Sequence, residues 1–400
     1  MSAPPVRVLL VDPSLFTAPY DAALTQGLLE AGVEPTWAVR PIRRGDREEL
    51  PRRYVEPFFY RWVEQATWLP RQLRSAAKGV AHAWGLLRLV VRALQLRPDV
   101  IHFQWIVVPP LDSLAIWALR HLAPVVLTVH DTVPFNGQRM SPWQSLGFDL
   151  PMKLCDRVIV HTKAGRDALR ARGVGDEKLS VIPHGPLSLP VAPSPRARTS
   201  EDRRYTFVMF GEIKPYKGCD VAVEALGLLP TLLRRQARVV IAGRPRMEMS
   251  ALLERIEALG LSSVVEVRAF RHTEQEMADL FADADCFVMP YLQIDASGVY
   301  FLVKSLGKWL IASKVGIFAE DLREDAQGWL VPPGSPDTLA LAIARAIVEQ
   351  PRASGVEAGA AWSAIGEATR DLYQELVQEQ ELVHEEEELD SAAIEREEIG

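Results

Sequence analysis

The chain is predicted to be an α/β protein made of two doubly wound halves of similar size. Three observations predict it. Short apolar runs such as Arg7-Val-Leu-Leu-Val11 and Val125-Val-Leu-Thr-Val129 alternate with amphipathic stretches, as parallel strands do when helices cover both faces of their sheet. The alternation stops across Pro186 to Arg204, rich in Pro, Ser and Arg, and restarts at Tyr205, which reads as a linker between domains. Four hundred residues are also too many for one ordinary core. In such sheets ligands bind beyond the carboxyl ends of the strands, so the site is expected in a cleft between the halves.

The first half, residues 1–185, opens with the strand to Val11 and a helix from about Asp21 to Ala31. Pro35 to Val39 is a second strand, and residues 40–97 form a basic, aromatic helical insertion. Val100 to Phe103 is a strand, followed by a helix across Ser113 to Leu122. The strand Val125 to Val129 ends at His130-Asp131, and Arg157 to Val160 follows with a helix over Ala164 to Arg172. Leu179 to Ile182 closes the half at Pro183-His184-Gly185. In the second half, 205–355, strands are expected at Tyr205 to Phe210, Val239 to Ala242, Val264 to Val267, Cys286 to Met289, Leu310 to Ala312 and Trp329 to Val331. Helices fall between them, ending with Pro336 to Glu349. A C-terminal helix (356–378) and an acidic tail (379–400) follow; the tail, with Glu385-Glu-Glu-Glu388, reads as a solvated helix end or a disordered segment.

Composition narrows the class. A hydrophobic fraction of 48% with 24% charged residues is that of a globular chain. Cys155, Cys219 and Cys286 are scattered and odd in number, matching neither a disulfide framework nor zinc spacing, and favour a reducing compartment. Met1-Ser-Ala-Pro-Pro leads straight into the first strand, which leaves no room for a signal peptide, and no apolar run reaches the length of a membrane span. The net charge of −7 argues against general nucleic-acid binding.

Phe210-Gly-Glu-Ile-Lys-Pro-Tyr-Lys217-Gly218 is the most telling stretch. It joins a buried strand to the amphipathic helix starting at Asp220 through a glycine turn holding Lys214 and Lys217. Free N–H groups, the positive end of the helix dipole and two ammonium groups converge there, an arrangement that suits a diphosphate. A solvated turn that happens to hold two exposed lysines is the plainer alternative.

The order of motifs resembles the retaining GT-B glycosyltransferases of the family-4 group (glycosyl transferases group 1). The first half contributes Asp99-Val-Ile-His-Phe-Gln-Trp105, Thr128-Val-His-Asp131 and Val181-Ile-Pro-His-Gly185. The second contributes the Phe210 to Gly218 stretch, Ile241-Ala-Gly-Arg244, the run Leu280 to Tyr291, Ser297-Gly-Val299 and Gly328 to Pro336. The resemblance covers about residues 5–350. It implies a GT-B fold, two Rossmann-like domains facing each other across a cleft. It also implies transfer of a sugar, with retained anomeric configuration, from a UDP- or GDP-linked donor to a glycan, lipid-linked or other acceptor. The second domain holds the nucleotide in this reading, and the first holds most of the acceptor.

The residues carried over are these. Lys214 and Lys217 match the basic positions that meet the donor diphosphate, with Lys214 standing where arginine is commoner and so losing the bidentate fork. A cation about 4 Å from the departing phosphate is worth about 4 kcal/mol at an effective dielectric near 20. Preorganised cations are therefore able to carry much of the catalysis, and no metal or other cofactor is expected. His130 matches the histidine beside the transferred sugar, or else is a strand-end histidine bonded to a neighbouring carbonyl. Asp295 matches a carboxylate that touches the sugar, or else is only a helix N-cap. Gly211, Gly243, Arg244 and the backbone around Ser297, Gly298 and Val299 complete the donor contacts; the Gly243-Arg-Pro-Arg246 turn is otherwise an ordinary basic surface loop.

Two departures from the family matter. Leu302 stands where relatives carry a glutamate bonded to the nucleotide ribose, and the loss of such a bond costs roughly 1.5–3 kcal/mol. A glycine-rich first loop is replaced by Asp12-Pro-Ser-Leu-Phe-Thr-Ala-Pro-Tyr-Asp21. Leu302 favours a second reading, a catalytically silent GT-B protein that binds a glycan or a partner; a GT-B epimerase or phosphorylase is a third. Asp283-Ala-Asp285 resembles a metal-binding pair but is expected to end a helix.

Residues 40–97 hold thirteen Arg/Lys against five Asp/Glu, with Trp62, Trp68, Trp84 and Phe58-Phe-Tyr60 among them. That mixture suits the surface of an anionic bilayer, and equally a helical insertion packing its aromatics on its own domain. The expected location is the cytoplasm, with peripheral contact on the inner face of the membrane.

Overall fold

The computed structural model describes residues 5–43, 46–65, 70–132, 146–194, 204–354 and 362–399. The chain divides into two compact units: Met1–Gly185 together with Ala360–Gly400, and Pro186–Gly359.

The first unit is a seven-stranded sheet in the order β3-β2-β1-β4-β5-β6-β7. Its strands are β1 (Val6–Asp12), β2 (Val33–Val39), β3 (Val55–Pro57), β4 (Val100–Phe103), β5 (Val125–Val129), β6 (Arg157–Val160) and β7 (Leu179–Val181), all parallel. The order reverses between β1 and β4, so the loops after those two strands diverge and open a crevice at their carboxyl ends. The helices Arg71–Leu96 and Pro109–Leu119 close one face through Leu86, Leu89, Ile116 and Leu119. The helices Ala18–Glu30 and Trp362–Ile399 close the other through Leu24, Leu28, Leu372 and Tyr373.

Two expectations change here. The chain from Trp362 to Ile399 is one helix, so it runs past the expected end at 378, and it packs on the first unit through Ile365, Leu372, Tyr373 and Leu376. Its seat is backbone against backbone: a Cβ added to Gly27 would lie 2.0 Å from Trp362 O, and one added to Gly366 2.1 Å from Gly27 O. The basic insertion is also only partly helical. Val55–Pro57 joins the sheet beside β2, and Phe58, Phe59 and Tyr60 are buried in the unit's own core. Trp62 and Trp84 are exposed, while Trp68 lies outside the described residues.

The second unit is a six-stranded parallel sheet in the order β10-β9-β8-β11-β12-β13. Its strands are β8 (Tyr205–Phe210), β9 (Ala237–Ala242), β10 (Val265–Arg268), β11 (Cys286–Met289), β12 (Trp309–Ser313) and β13 (Gly328–Val331). Helices flank both faces, and reversal falls between β8 and β11. The expected linker is not free over its first part. Leu187 and Leu189 pack on the second unit's core, and the Ser194 N–H donates to Asp279 (2.6 Å).

Candidate functional site

In the second unit the site grows from two glycine turns at adjacent strand ends. Gly211 follows β8 with φ 109°, and Gly243 follows β9 with φ 149°, both in the region that favours glycine. A Cβ on Gly243 would sit 1.9 Å from Gly211 O, so the turns touch through bare backbone. The Ile213 N–H donates to Arg244 O (2.9 Å), and that of Arg246 donates to Ile213 O (2.8 Å), tying the turns together.

Lys217 closes the turn Pro215–Lys217 before the helix Cys219–Leu228. It was expected to be exposed, and it is not. Its ammonium turns under Gly211, where an added Cβ would lie 2.6 Å from Nζ, and donates to Phe210 O (3.4 Å) over the Tyr291 ring (5.3 Å). Burial pulls its pKa down from 10.5 to about 8, so it stays mostly protonated at neutral pH, with little solvation to lose when an anion arrives.

Lys214 does not share that point. Its Nζ pairs with Glu212 (3.1 Å), which also pairs with Arg246 (2.6 Å). Burial of Glu212, which would raise its pKa, is outweighed by the bonds from Arg246 and Lys214, and the carboxylate is held below its usual range. Arg244 is exposed beside this pair. Val299 reaches within 3.4 Å of a Cβ placed on Gly211, which brings the helix Gly298–Ser305 to the same turn. The N-cap of that helix is Ser297, whose Oγ accepts from Tyr300 N (3.4 Å), so the capping alternative for Asp295 falls away. Asp295 lies half-buried two residues before it, with its carbonyl accepting from Ile317 N (3.0 Å). Leu302 is buried in the apolar cluster with Tyr300, Phe301 and Val303.

Asp283 ends the helix Glu274–Asp283, and Asp285 accepts from Thr206 N (2.8 Å), latching that turn to β8. Among the described residues no group of three or more His, Cys, Asp or Glu is arranged to hold a metal ion.

In the first unit His102 lies in β4 and His130, His161 and His184 follow β5, β6 and β7, so the topology gathers four imidazoles at one sheet end. Sequence reading singled out His130 alone. Residues from separate strands meet only once strand order is known. Tyr20 packs its ring against His130 (4.9 Å), His161 (5.4 Å) and His184 (4.9 Å). Burial, reinforced by the neighbouring rings, holds His130 well below the usual imidazole range. His161 is lowered by burial to about 4, His102 to about 3, and His184 by burial and then His161 to about 3. The cluster is therefore uncharged at neutral pH.

Each neutral ring carries one proton, whose position follows from its neighbours. Ile182 O is an acceptor 3.0 Å from His161 Nδ1, so that nitrogen carries the proton and His161 Nε2 is a lone pair. His130 Nδ1, 3.2 Å from that lone pair, is then the donor. His130 Nε2 is then left unprotonated and accepts from the Gln104 side-chain amide 3.4 Å away, whose oxygen and nitrogen change places by a half-turn. At that length the contact is weak, which leaves the lone pair within reach of a hydroxyl donor. Its two ring nitrogens face another imidazole and the side-chain amide of Gln104.

The first loop is built differently from a glycine-rich one. The buried Asp12 carboxylate accepts from Ser14 N (3.1 Å), Phe16 N (2.7 Å) and Thr17 N (3.4 Å). Burial raises both Asp12 and the neighbouring Asp21, and the Asp12 charge pushes Asp21 further.

Comparison with known proteins agrees with this geometry. The family model for glycosyl transferases group 1 matches residues 193–361, and that for glycosyltransferase family 4 matches 22–185. The chain is 25% identical over 351 residues to a D-inositol 3-phosphate glycosyltransferase of Kineococcus radiotolerans, covering 78% of each chain. It is 29% identical over 201 residues to a GDP-mannose-dependent alpha-(1-6)-phosphatidylinositol monomannoside mannosyltransferase of Mycobacterium tuberculosis, covering 46% of this chain and 51% of that one. Among solved structures, Anabaena HepE in complex with UDP and glucose superposes with a TM-score of 0.63 at 17% identity, covering 95% of this chain and 100% of that one. With two Rossmann-like parallel sheets and family models matching both halves, the chain belongs to the GT-B glycosyltransferases of this group, which use nucleotide-sugar donors.

Proposed function

We propose that the protein moves a sugar, with retention of anomeric configuration, from a UDP- or GDP-linked donor to a hydroxyl of a glycan or lipid-linked acceptor. The observation that carries this reading is the Lys217 ammonium, held under Gly211 where two strand-end glycine turns meet. The bond from the sugar's C1 to the donor phosphate breaks, and its electron pair leaves on the diphosphate. Lys217, then Lys214, meets that charge, with the N–H groups at the start of the helix Gly298–Ser305 alongside. The acceptor oxygen bonds to C1 from the face the leaving group departs, and its proton passes to the departing phosphate oxygen. The neutral His130 accepts a hydrogen bond from a sugar hydroxyl through Nε2, and Asp295 contacts the transferred sugar. Gly211, Gly243, Arg244, Ser297, Gly298 and Val299 line the donor in this reading.

A thermal-shift series with UDP, GDP and their sugars, followed by radiolabelled donor, tests it. Free nucleotide together with a new glycoside supports transfer. Isomerised donor or sugar phosphate supports other chemistry on the same fold.

Leu302 favours a second reading, a silent protein that binds a glycan or partner, because an apolar side chain in the core accepts nothing from a ribose. No melting shift with any nucleotide well above millimolar concentration would select it.

Contact with an anionic membrane on the cytoplasmic side belongs to the same proposal. No described helix is long and apolar enough to cross a membrane. The helix Arg71–Leu96 nevertheless carries five Arg/Lys and no acidic residue. It leaves Leu73, Val80, Trp84, Leu87, Val91 and Leu94 exposed along one face, the first step of seven residues and the rest alternating four and three. Co-sedimentation with vesicles containing phosphatidylglycerol should be lost in Trp84→Glu and kept with neutral vesicles in neither protein; equal binding by both proteins would remove the membrane from the proposal.

A further inference from the structure

The loop after β1 presents an aromatic side chain that the chemistry above leaves without a task. Phe16 is 56% exposed, yet the loop beneath it is rigidly built. Asp12 holds three of its N–H groups, Leu15 is kept at φ 49°, and the buried Arg40 donates Nε to Ser14 O (2.9 Å). Phe16 packs on Trp105 (ring centroids 5.3 Å apart), the first residue after the buried Gln104 at the end of β4. Trp105 is fixed in turn by its indole N–H donating to Thr17 Oγ1 (2.9 Å) and by stacking on His130 at 5.0 Å and 16°. The result is a ladder of rings, Phe16, Trp105 and His130, running from solvent to the strand-end histidine. An exposed apolar ring on a flexible loop is commonplace; one held by this many backbone bonds is preorganised for a ligand.

We propose that Phe16 and Trp105 form a platform for the apolar face of an uncharged sugar ring, the acceptor in the transfer reaction, and deliver its hydroxyls to the neighbourhood of His130. This rests on the glycosyltransferase reading and names the acceptor class for it. One face of a pyranose carries several axial C–H bonds made slightly positive by the ring oxygens, which complement the negative face of an aromatic quadrupole. The charge around the ladder matches a neutral occupant. Asp12 and Asp21 lie beneath the loop. The guanidinium that touches the loop, Arg40, is engaged with Asp46 (2.8 Å) and with the carbonyls of Ser14 and Pro41. Among the described residues, a phosphorylated ring would meet that acidic pair without a cation set against it. The acceptor inferred here therefore differs in charge from the D-inositol 3-phosphate in the name of the Kineococcus relative.

Saturation-transfer NMR on the full chain tests this with three probes: methyl α-D-glucopyranoside, methyl α-D-mannopyranoside and D-inositol 3-phosphate. At least one glycoside should receive saturation on the hydrogens of a single ring face. Its dissociation constant should rise about tenfold in Phe16→Ala and stay within about threefold in Phe16→Tyr, which keeps a ring. Unchanged melting of both variants, expected for an exposed side chain, excludes misfolding as the cause. Three results would each overturn the platform: neither glycoside binds, the inositol phosphate binds tighter than both, or Phe16→Ala leaves the constant within about twofold. The nucleotide melting shift, read on the same preparations, separates this inference from the donor reading. A glycoside that binds while no nucleotide does keeps the platform and removes the donor site, and the reverse pattern removes the platform alone.

Discussion

The two strand-end sites of this protein are built to opposite electrostatic specifications. In the second unit a half-buried lysine lies beneath a glycine turn and still carries most of its charge at neutral pH, its pKa lowered to about 8. In the first unit four histidines and an aromatic ladder share one sheet end, and burial keeps every one of those imidazoles uncharged. The same topological feature, the carboxyl ends of parallel strands, thus carries one site that stores positive charge and another that stores lone pairs. The difference follows the proposed reaction. A departing diphosphate gains negative charge and needs a cation already in place, whereas a hydroxyl needs an acceptor that a proton has not taken.

The largest test of that contrast is Lys217→Met. Removing the cation should lower turnover by about 10²–10³. It should also raise the melting temperature of the ligand-free protein at pH 7 by a few degrees, because a buried charge that costs the fold is replaced by an apolar chain of similar length. The sign follows from linkage. Below about 8 the folded lysine is charged and the full burial cost is present. Between about 8 and 10.5 the unfolded chain binds the proton that the folded one has released, so wild-type stability rises with pH and the gap to the variant closes. In the wild type, donor kcat/KM should fall as pH rises through about 8. A variant that melts lower at pH 7 and still turns over would place the ammonium outside the reaction.

The histidine side of the contrast predicts a flat profile. With the imidazoles of His102, His161 and His184 titrating near 3 to 4 and His130 well below its usual range, kcat should show no limb between pH 5 and 7. His130→Ala should cost about a hundredfold in kcat. His161→Ala, which only frees the His130 ring to exchange tautomers, should cost about tenfold with little change in KM. Nitrogen-15 spectra would read the cause directly: His130 protonated at Nδ1 alone in the wild type, and mixed in the His161 variant. A rate limb near 6.5 would mean that a charged imidazole takes part and that the contrast is wrong.

Most of the sheet was legible in the sequence because its signal is local: apolar runs of strand length, bounded by glycine turns, at intervals that helices fill. The Phe210 to Gly218 stretch was legible for the same reason, since strand, turn and helix are contiguous there. What escaped is non-local. Spacing alone says nothing of Lys217 folding back under Gly211, nor of Gly27 and Gly366 meeting across more than three hundred residues to seat the C-terminal helix on the first unit. The partnership of His130 with His161 depends on β5 lying beside β6. One local signal was missed outright. Ser297, a strong capping residue directly before Gly298, outranks Asp295 as the start of its helix.

The smallest expected effect probes how far the second unit's charge is already spent. Glu212 draws Lys214 at 3.1 Å and Arg246 at 2.6 Å, and it stands one residue past the glycine that covers Lys217. Glu212→Gln would release both cations while keeping the side chain's shape. If Lys214 serves the diphosphate, UDP or GDP should bind about two- to fivefold tighter at low salt, and the gain should shrink as ionic strength rises, since these groups are partly exposed and screened. If the variant binds more weakly at every salt concentration, Glu212 is needed to aim the lysine. The contrast would then sharpen: the second unit's field would come from Lys217 alone, with the Lys214, Glu212 and Arg246 triad acting as its scaffold.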